Sequence, residues 1–211
     1  MNGRVLFEVR ELCLRRGAIA GRALNFALKA GQWCVLSGEN GSGKTTLLRV
    51  LCGLSEPSKG LVCWRGFAIG HYRERYHRTF IYIGHKFGFR GGLSVTENLS
   101  FYRDLRDRRG ITSIDEAMDY LGLGDVSDRP YASLSHGQRQ RGALCRLMTE
   151  EAQLWLLDEP TGALDQQGHD IFQELLSKHL DKGGMAVVAT HKPFAHDTLQ
   201  GAHQLRLTAD V

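Results

Sequence analysis

A chain of 211 residues is long enough for one α/β domain with a sizeable core. Its 27 Lys and Arg against 23 Asp and Glu leave a net charge of +4, too mild to argue for nucleic acid as a partner. The five cysteines (Cys13, Cys34, Cys52, Cys63 and Cys145) include no C-x-x-C pair and are odd in number, which argues against a disulfide framework or a zinc site. Charge comes too early in Met1–Arg10 for a secretory signal, and no apolar run approaches the length of a membrane span. The expectation is a soluble chain, or one attached peripherally through a partner.

Val5 to Arg10 alternates apolar and polar residues, as a half-buried strand does, and Leu24 to Leu28 repeats the pattern. Trp33-Cys-Val-Leu-Ser37 is a short apolar run that predicts a buried strand. Gly38-Glu39-Asn40-Gly41-Ser42-Gly43-Lys44-Thr45-Thr46 follows and fits G-x-x-x-x-G-K-[ST]. Leu47, Leu48, Val50, Leu51 and Leu54 then recur at helical spacing, with Gly53 as a stop. Strand, glycine loop and helix are the context of a phosphate-binding loop, in which backbone N–H groups and the helix N-terminus face an anion. Lys44 would reach the terminal phosphates and the Thr45 hydroxyl would ligate Mg²⁺.

Leu61–Trp64 and Thr79–Ile83 predict further strands. From His85 to about Glu150 no strand is convincing, and Ser94 and Ser113 are placed to cap helices. In the second of these helices Ile114, Ala117, Met118 and Leu121 share a face. Phe87 and Phe89 sit in a glycine-rich loop, where an exposed docking surface for a membrane partner is expected. Strand texture returns at Leu154–Leu157 and Met185–Ala189, separated by a helix carrying Ile171, Phe172, Leu175, Leu176 and His179. The expected fold is α/β, a P-loop core with a mixed or parallel sheet. That core covers about 1–85 and 150–211, and a helical subdomain covers about 86–149.

Leu154–Leu157 runs into Asp158 and Glu159. Beside a P-loop, an aspartate there can hold Mg²⁺ from the second shell, and the next acid can orient a water in line with the γ-phosphate. Ser135-His136-Gly137-Gln138 opens a helix, with Ser135 as the N-cap, and offers a second anion site.

The order of the P-loop, Leu134-Ser-His-Gly-Gln138, Leu156-Leu-Asp-Glu-Pro160 and Thr190-His191 resembles the ATP-binding cassette ATPases along nearly the whole chain. The resemblance implies a RecA-like core that works as a head-to-tail dimer. Each ATP would lie between the P-loop of one copy and Ser135, His136, Gly137 and Gln138 of the other. It implies that Asp165 lies in a loop crossing the interface and that His191 contacts the γ-phosphate. Three positions depart from the family pattern. His85 stands where a glutamine is usual, Arg15 or Arg16 where an aromatic stacks on adenine, and His136 where the signature has glycine. An imidazole at 85 can still accept a hydrogen bond from a metal-bound water.

The short chain, Tyr82-Ile-Gly-His85, Leu93–Leu99 with Phe101-Tyr102, and the tryptophan in Leu154–Pro160 further resemble the ATPase subunits of bacterial cytochrome c maturation systems. That implies integral membrane subunits as partners, haem as the cargo and a place on the cytoplasmic face of the inner membrane. A non-transport regulator of the same family, such as a division ATPase, is expected to keep the glutamine at 85. A simple P-loop kinase is opposed by the Ser135–Gln138 motif.

Overall fold

The computed structural model describes residues 4–15, 22–106, 112–191 and 202–207. A five-stranded, all-parallel sheet forms its middle layer: β6 (Phe80–Ile83), β7 (Leu154–Asp158), β8 (Met185–Thr190), β3 (Trp33–Ser37) and β9 (Ala202–Arg206), in that order. A separate antiparallel sheet has the order β2 (Leu24–Lys29), β1 (Val5–Cys13), β4 (Lys59–Trp64) and β5 (Phe67–Ala68). Of the expected mixed or parallel sheet, the core sheet is the parallel form, and the antiparallel strands form a sheet of their own.

The period-two alternation of the parallel strands divides the core in two. Trp33, Val35, Ile81, Ile83, Trp155, Leu157, Ala186 and Val188 face one cluster, which α4 (Ile114–Tyr120), α5 (His136–Thr149) and α6 (Gln166–Asp181) complete. Cys34, Leu36, Phe80, Leu154, Leu156, Met185, Val187 and Ala189 face the other, with α1 (Lys44–Leu51) and the antiparallel sheet. Strands buried on both faces read as unbroken apolar runs, as these do. The five cysteines are buried and none is in a disulfide.

β6 and β7 are adjacent in the sheet, yet the chain between them makes α3 (Val95–Arg106), α4 and α5. Ser94 and Ser113 cap α3 and α4 with reciprocal hydrogen bonds to Glu97 and Glu116. Arg146 of α5 fastens this helical segment to the sheet. Its Nη1 donates to the Tyr82 carbonyl at 3.2 Å, its guanidinium lies 3.8 Å from the Tyr102 ring centroid, and it pairs with Glu150 in full burial. The short helix α2 (Arg73–His77) follows β5 and buries Tyr76, whose hydroxyl donates to the Leu51 carbonyl.

His179 of α6 stacks on Trp155 with centroids 3.9 Å apart, and its Nε2 lies 3.0 Å from the Met185 carbonyl. Burial pushes its pKa down from 6.5 to about 4; the Met185 contact opposes that shift and Lys182 adds to it. The unfolded chain therefore binds a proton that the folded chain refuses between those values. Stability is unaffected by His179 above pH 6.5 and falls as pH drops toward 4, by at most about 3 kcal/mol. Urea unfolding against pH should show this acid limb in the wild type and lack it in His179→Phe.

Candidate active site

Pairing register determines what stands at the carboxyl edge of the parallel sheet. Ser37 pairs with Thr190, Asp158 with Ala189 and Ile83 with Leu157. One or two residues beyond the strand ends lie Gly38, His191, Glu159 and His85. Four candidate groups thus reach one edge from four neighbouring strands, at the end where open α/β sheets bind ligands.

The loop from β3 to α1 is built for close approach. Gly38 has φ +155, and a Cβ there would lie 2.5 Å from the Leu207 carbonyl oxygen and 2.7 Å from Ser42 Oγ. Gly43, with φ +105, is the N-cap of α1 and offers no side chain to the free amides of the first turn. Lys44 is buried, and its Nζ donates to the Gly38 and Glu39 carbonyls at 2.7 and 3.1 Å. Among the described residues, Ser42 Oγ is buried with no hydrogen-bond partner. Glu39, Asn40, Gly41, Thr45 and Thr46 are exposed around the loop. Free amides, an inward-turned ammonium and an unpartnered hydroxyl form a donor set suited to a phosphate chain.

Thr45 Oγ1 donates to Asp158 Oδ2 at 2.7 Å, tying the start of α1 to the end of β7. Burial raises the Asp158 pKa above its ordinary 3.8. The Thr45 hydroxyl opposes the shift, Glu159 adds to it, and His85 and Lys44 oppose it. A buried carboxylate beside a hydroxyl, both hard oxygen donors, fits Mg²⁺, whose charge would offset the burial.

Glu159 has φ +50, an uncommon conformation for a residue with a Cβ. Its amide donates to the Ala189 carbonyl at 2.9 Å, and its carboxylate lies 2.9 Å from Nδ1 of His191. His85 is exposed and close enough to Asp158 to bear on its charge.

Other predicted residues lie elsewhere. Ser135 caps α5 and forms a capping box with Gln138. His136 is exposed, and a Cβ on Gly137 would meet the Ala163 carbonyl at 3.0 Å. Among the described residues, no hydrogen bond joins these four to the P-loop. Asp165 caps α6 through the Gly168 amide and takes two hydrogen bonds from Arg141 at 2.6 and 2.7 Å; those contacts, the Gly168 amide first, lower its pKa. Arg15 is exposed in a bend two residues past β1, and Arg16 lies outside the described residues.

The aromatic loop does not stand open as expected. Phe87 is buried at 7 % exposure with its ring 5.7 Å from His136, and Phe89 packs at 5.0 Å against Tyr131 and 5.8 Å against Tyr102. The start of α5 and the turn at Tyr131 supply the apolar cover that the loop's own composition lacks.

Sequence reasoning missed Gln140. It is 2 % exposed, donates to the Glu159 carbonyl at 2.7 Å and accepts from the Ala163 amide at 2.6 Å. The available signal was a polar residue in register with Leu144 and Leu147 on the buried face of α5.

A phosphate loop at the carboxyl edge of a parallel sheet, followed by an aspartate–glutamate pair on a neighbouring strand, defines a P-loop nucleotide-binding domain. Residues 22–162 match the family model described as ABC transporter. The chain is 45 % identical over 180 residues, 85 % of this chain and 87 % of the relative, to a cytochrome c biogenesis ATP-binding export protein CcmA of Methylococcus capsulatus. It is 42 % identical over 190 residues, 89 % of this chain and 90 % of the relative, to the protein of that name from Escherichia coli. An ATP-binding subunit of an ABC transporter superposes with TM-score 0.77 at 25 % identity, over 88 % of this chain and 79 % of its own. A dimeric bacterial ABC transporter cassette shares the fold at TM-score 0.77 and 22 % identity, over 95 % and 94 %. The chain belongs to the ABC transporter family of ATP-binding proteins, and its CcmA relatives match it along nearly their whole length.

Gly38→Ala drives a methyl group into the Leu207 carbonyl. Overpacking of this kind costs about 1–3 kcal/mol, so affinity for a fluorescent ATP analogue should fall about tenfold to a hundredfold in titrations of the purified chain.

Proposed function

We propose that the chain is the ATP-hydrolysing subunit of a bacterial membrane complex that drives haem export, or haem release to a chaperone, in cytochrome c biogenesis. The observation that carries the hydrolytic part is the convergence of Lys44, Thr45, Asp158, Glu159 and His191 at one sheet edge, with Thr45 on Asp158 and Glu159 on His191. The names of the relatives, which give cytochrome c biogenesis and export, support the pathway; haem as the cargo comes from the family resemblance. Among the described residues no helix is long and apolar enough to cross a membrane. The reading therefore places the chain peripherally on the cytoplasmic face of the inner membrane, against integral membrane subunits.

In this reading backbone amides of the glycine loop and of the first turn of α1, with the Lys44 ammonium, hold the β- and γ-phosphates of ATP. Thr45 and Asp158 would hold Mg²⁺, which neutralises phosphate charge as the γ-phosphoryl group leaves. Glu159 accepts the proton of the attacking water and His191 orients Glu159, with a second contact to the γ-phosphate. His85 would offer a hydrogen-bond acceptor beside the residues that would hold Mg²⁺. Arg15 lies beside the base.

Ser135, His136, Gly137 and Gln138 have no bond to the P-loop of their own chain, which supports their service to a second copy. That copy would pack head to tail with Asp165 near the seam, as the family resemblance implies. The core, about 1–85 and 150–211, and the helical segment, about 86–149, would act as two subdomains around this site.

Lys44→Ala should abolish ATP binding. Glu159→Gln should bind ATP but hydrolyse it about a hundredfold or more slowly, and light scattering should show it trapped as an ATP-bound dimer. A monomeric Glu159→Gln protein with normal turnover would remove Glu159 from the base role. Affinity purification from membranes, with mass spectrometry of the bound subunits, tests the pathway: capture of a different transporter's subunits would overturn the assignment to cytochrome c biogenesis.

A further inference from the structure

Glu159 is held in a backbone conformation that a residue with a Cβ rarely adopts, and its amide alone does not fix its carbonyl. That carbonyl is taken by Gln140 Nε2 at 2.7 Å. The other end of the same amide group accepts from the Ala163 N–H at 2.6 Å, so one buried side chain spans the turn that runs from Glu159 to Ala163. The turn has few bonds of its own: the Gly162 amide donates to the Glu159 carbonyl at 3.2 Å and the Leu164 amide to the Thr161 carbonyl at 3.2 Å. Two positions further along, Asp165 is gripped by Arg141, the neighbour of Gln140 on α5.

We infer that Gln140 is a positioning residue for hydrolysis: its amide clamps the 159–163 turn to α5 and fixes the direction in which the Glu159 carboxylate meets the attacking water. The inference rests on Glu159 acting as the base. It also gives α5 a second task. The N-terminus of α5 is the Ser135–Gln138 segment read above as touching the ATP held by the partner copy, while Gln140, less than one turn beyond Gln138, holds the Glu159 that serves the chain's own ATP. The clamp thus joins the two nucleotide sites of a dimer through a few residues of one helix.

Both hydrogen bonds use neutral amide chemistry, which distinguishes two substitutions. Gln140→Met keeps the volume and removes both bonds. Gln140→Glu keeps the acceptor for Ala163 and replaces the donor with a carboxylate oxygen facing the Glu159 carbonyl, which only a protonated carboxyl can satisfy. Burial favours that protonated form.

The test is steady-state hydrolysis of Mg-ATP by the full chain, with nucleotide affinity and thermal unfolding measured on the same samples and Glu159→Gln as reference. The expected result for Gln140→Met is a kcat lower by about tenfold, the size expected when a part-buried carbonyl loses one of its two donors and the Ala163 amide its acceptor, with KM and nucleotide affinity within about twofold of wild type. For Gln140→Glu, the ratio of its kcat to that of wild type should climb as pH is lowered, since the protonated acid regains the donor. Wild-type kcat in Gln140→Met beside a stalled Glu159→Gln would overturn the clamp alone. A lowered kcat with a flat pH ratio for Gln140→Glu would also overturn it, marking a loss of packing instead of a lost donor. Normal turnover in Glu159→Gln would overturn the base assignment and the clamp's role together.

Discussion

Asp158 stands opposite Ala189 and Ser37 opposite Thr190 across three adjacent parallel strands, and the whole site depends on that register. Side chains alternate faces along a strand, so a slip of one residue in β7 would turn Asp158 away from Thr45 and bury Leu157 on the wrong side of the sheet. The core prevents the slip. Leu154 and Leu156 pack toward α1 and Met185, while Trp155 and Leu157 pack toward α5 and α6. The two apolar clusters therefore act as the register gauge, and the Thr45–Asp158 hydrogen bond is its readout at the edge. The same gauge leaves Asp158 with a raised pKa, an unfavourable state for a charged carboxylate that is tolerated where a cation can offset it.

Packing of α1 holds the glycine loop at its C-terminal side. Leu47, Leu48, Val50 and Leu51 are buried, which anchors the helix independently of its first turn. The loop is then pulled from both ends, by β3 within the sheet and by α1 beneath it. Gly38 is where the two demands conflict, because the chain must turn within van der Waals reach of the Leu207 carbonyl.

Much of this was legible in the sequence because it is local. A buried parallel strand shows as an apolar run, a capped helix as Ser followed by Glu or Gln three residues later, and the phosphate loop as glycines at fixed spacing. What escaped is small, exposed or long-range. β5 has two residues, α2 is a charged stretch with one buried ring, and β9 (Ala-His-Gln-Leu-Arg) lies at the sheet edge, where no apolar run is required. Leu54 was expected on the buried face of α1, but Gly53 at φ +71 turns the chain first and leaves it 54 % exposed. Phe87 and Phe89 read as exposed because their cover comes from Tyr131, Tyr102 and His136, far along the chain. Gln140 carries no local mark of its bond to a carbonyl 19 positions away.

These long-range contacts fall along α5. Its 14 residues make a rod of roughly 21 Å. At its N-terminus are Ser135 and the His136 ring against Phe87; in its second turn Gln140 and Arg141 hold the 159–165 loop; near its end Arg146 donates to the Tyr82 carbonyl, three residues before His85. Helices are stiff along their axis, so a displacement at one of these contacts cannot be absorbed between them. It must be met by movement at the others or by breaking a bond. Breaking the last strips the buried Arg146 of its bond to the Tyr82 carbonyl, a loss of about 1.5–3 kcal/mol for a hydrogen bond to a charged group, while its pair with Glu150 moves with the helix. The N-terminal contact is the weakest, a tilted ring pair at an exposed residue. Movement of α5 is therefore set by its two polar clamps, with its free end swinging about them. In the proposed dimer that end is the part that faces the partner's nucleotide, opposite the end pinned to β6 by Arg146.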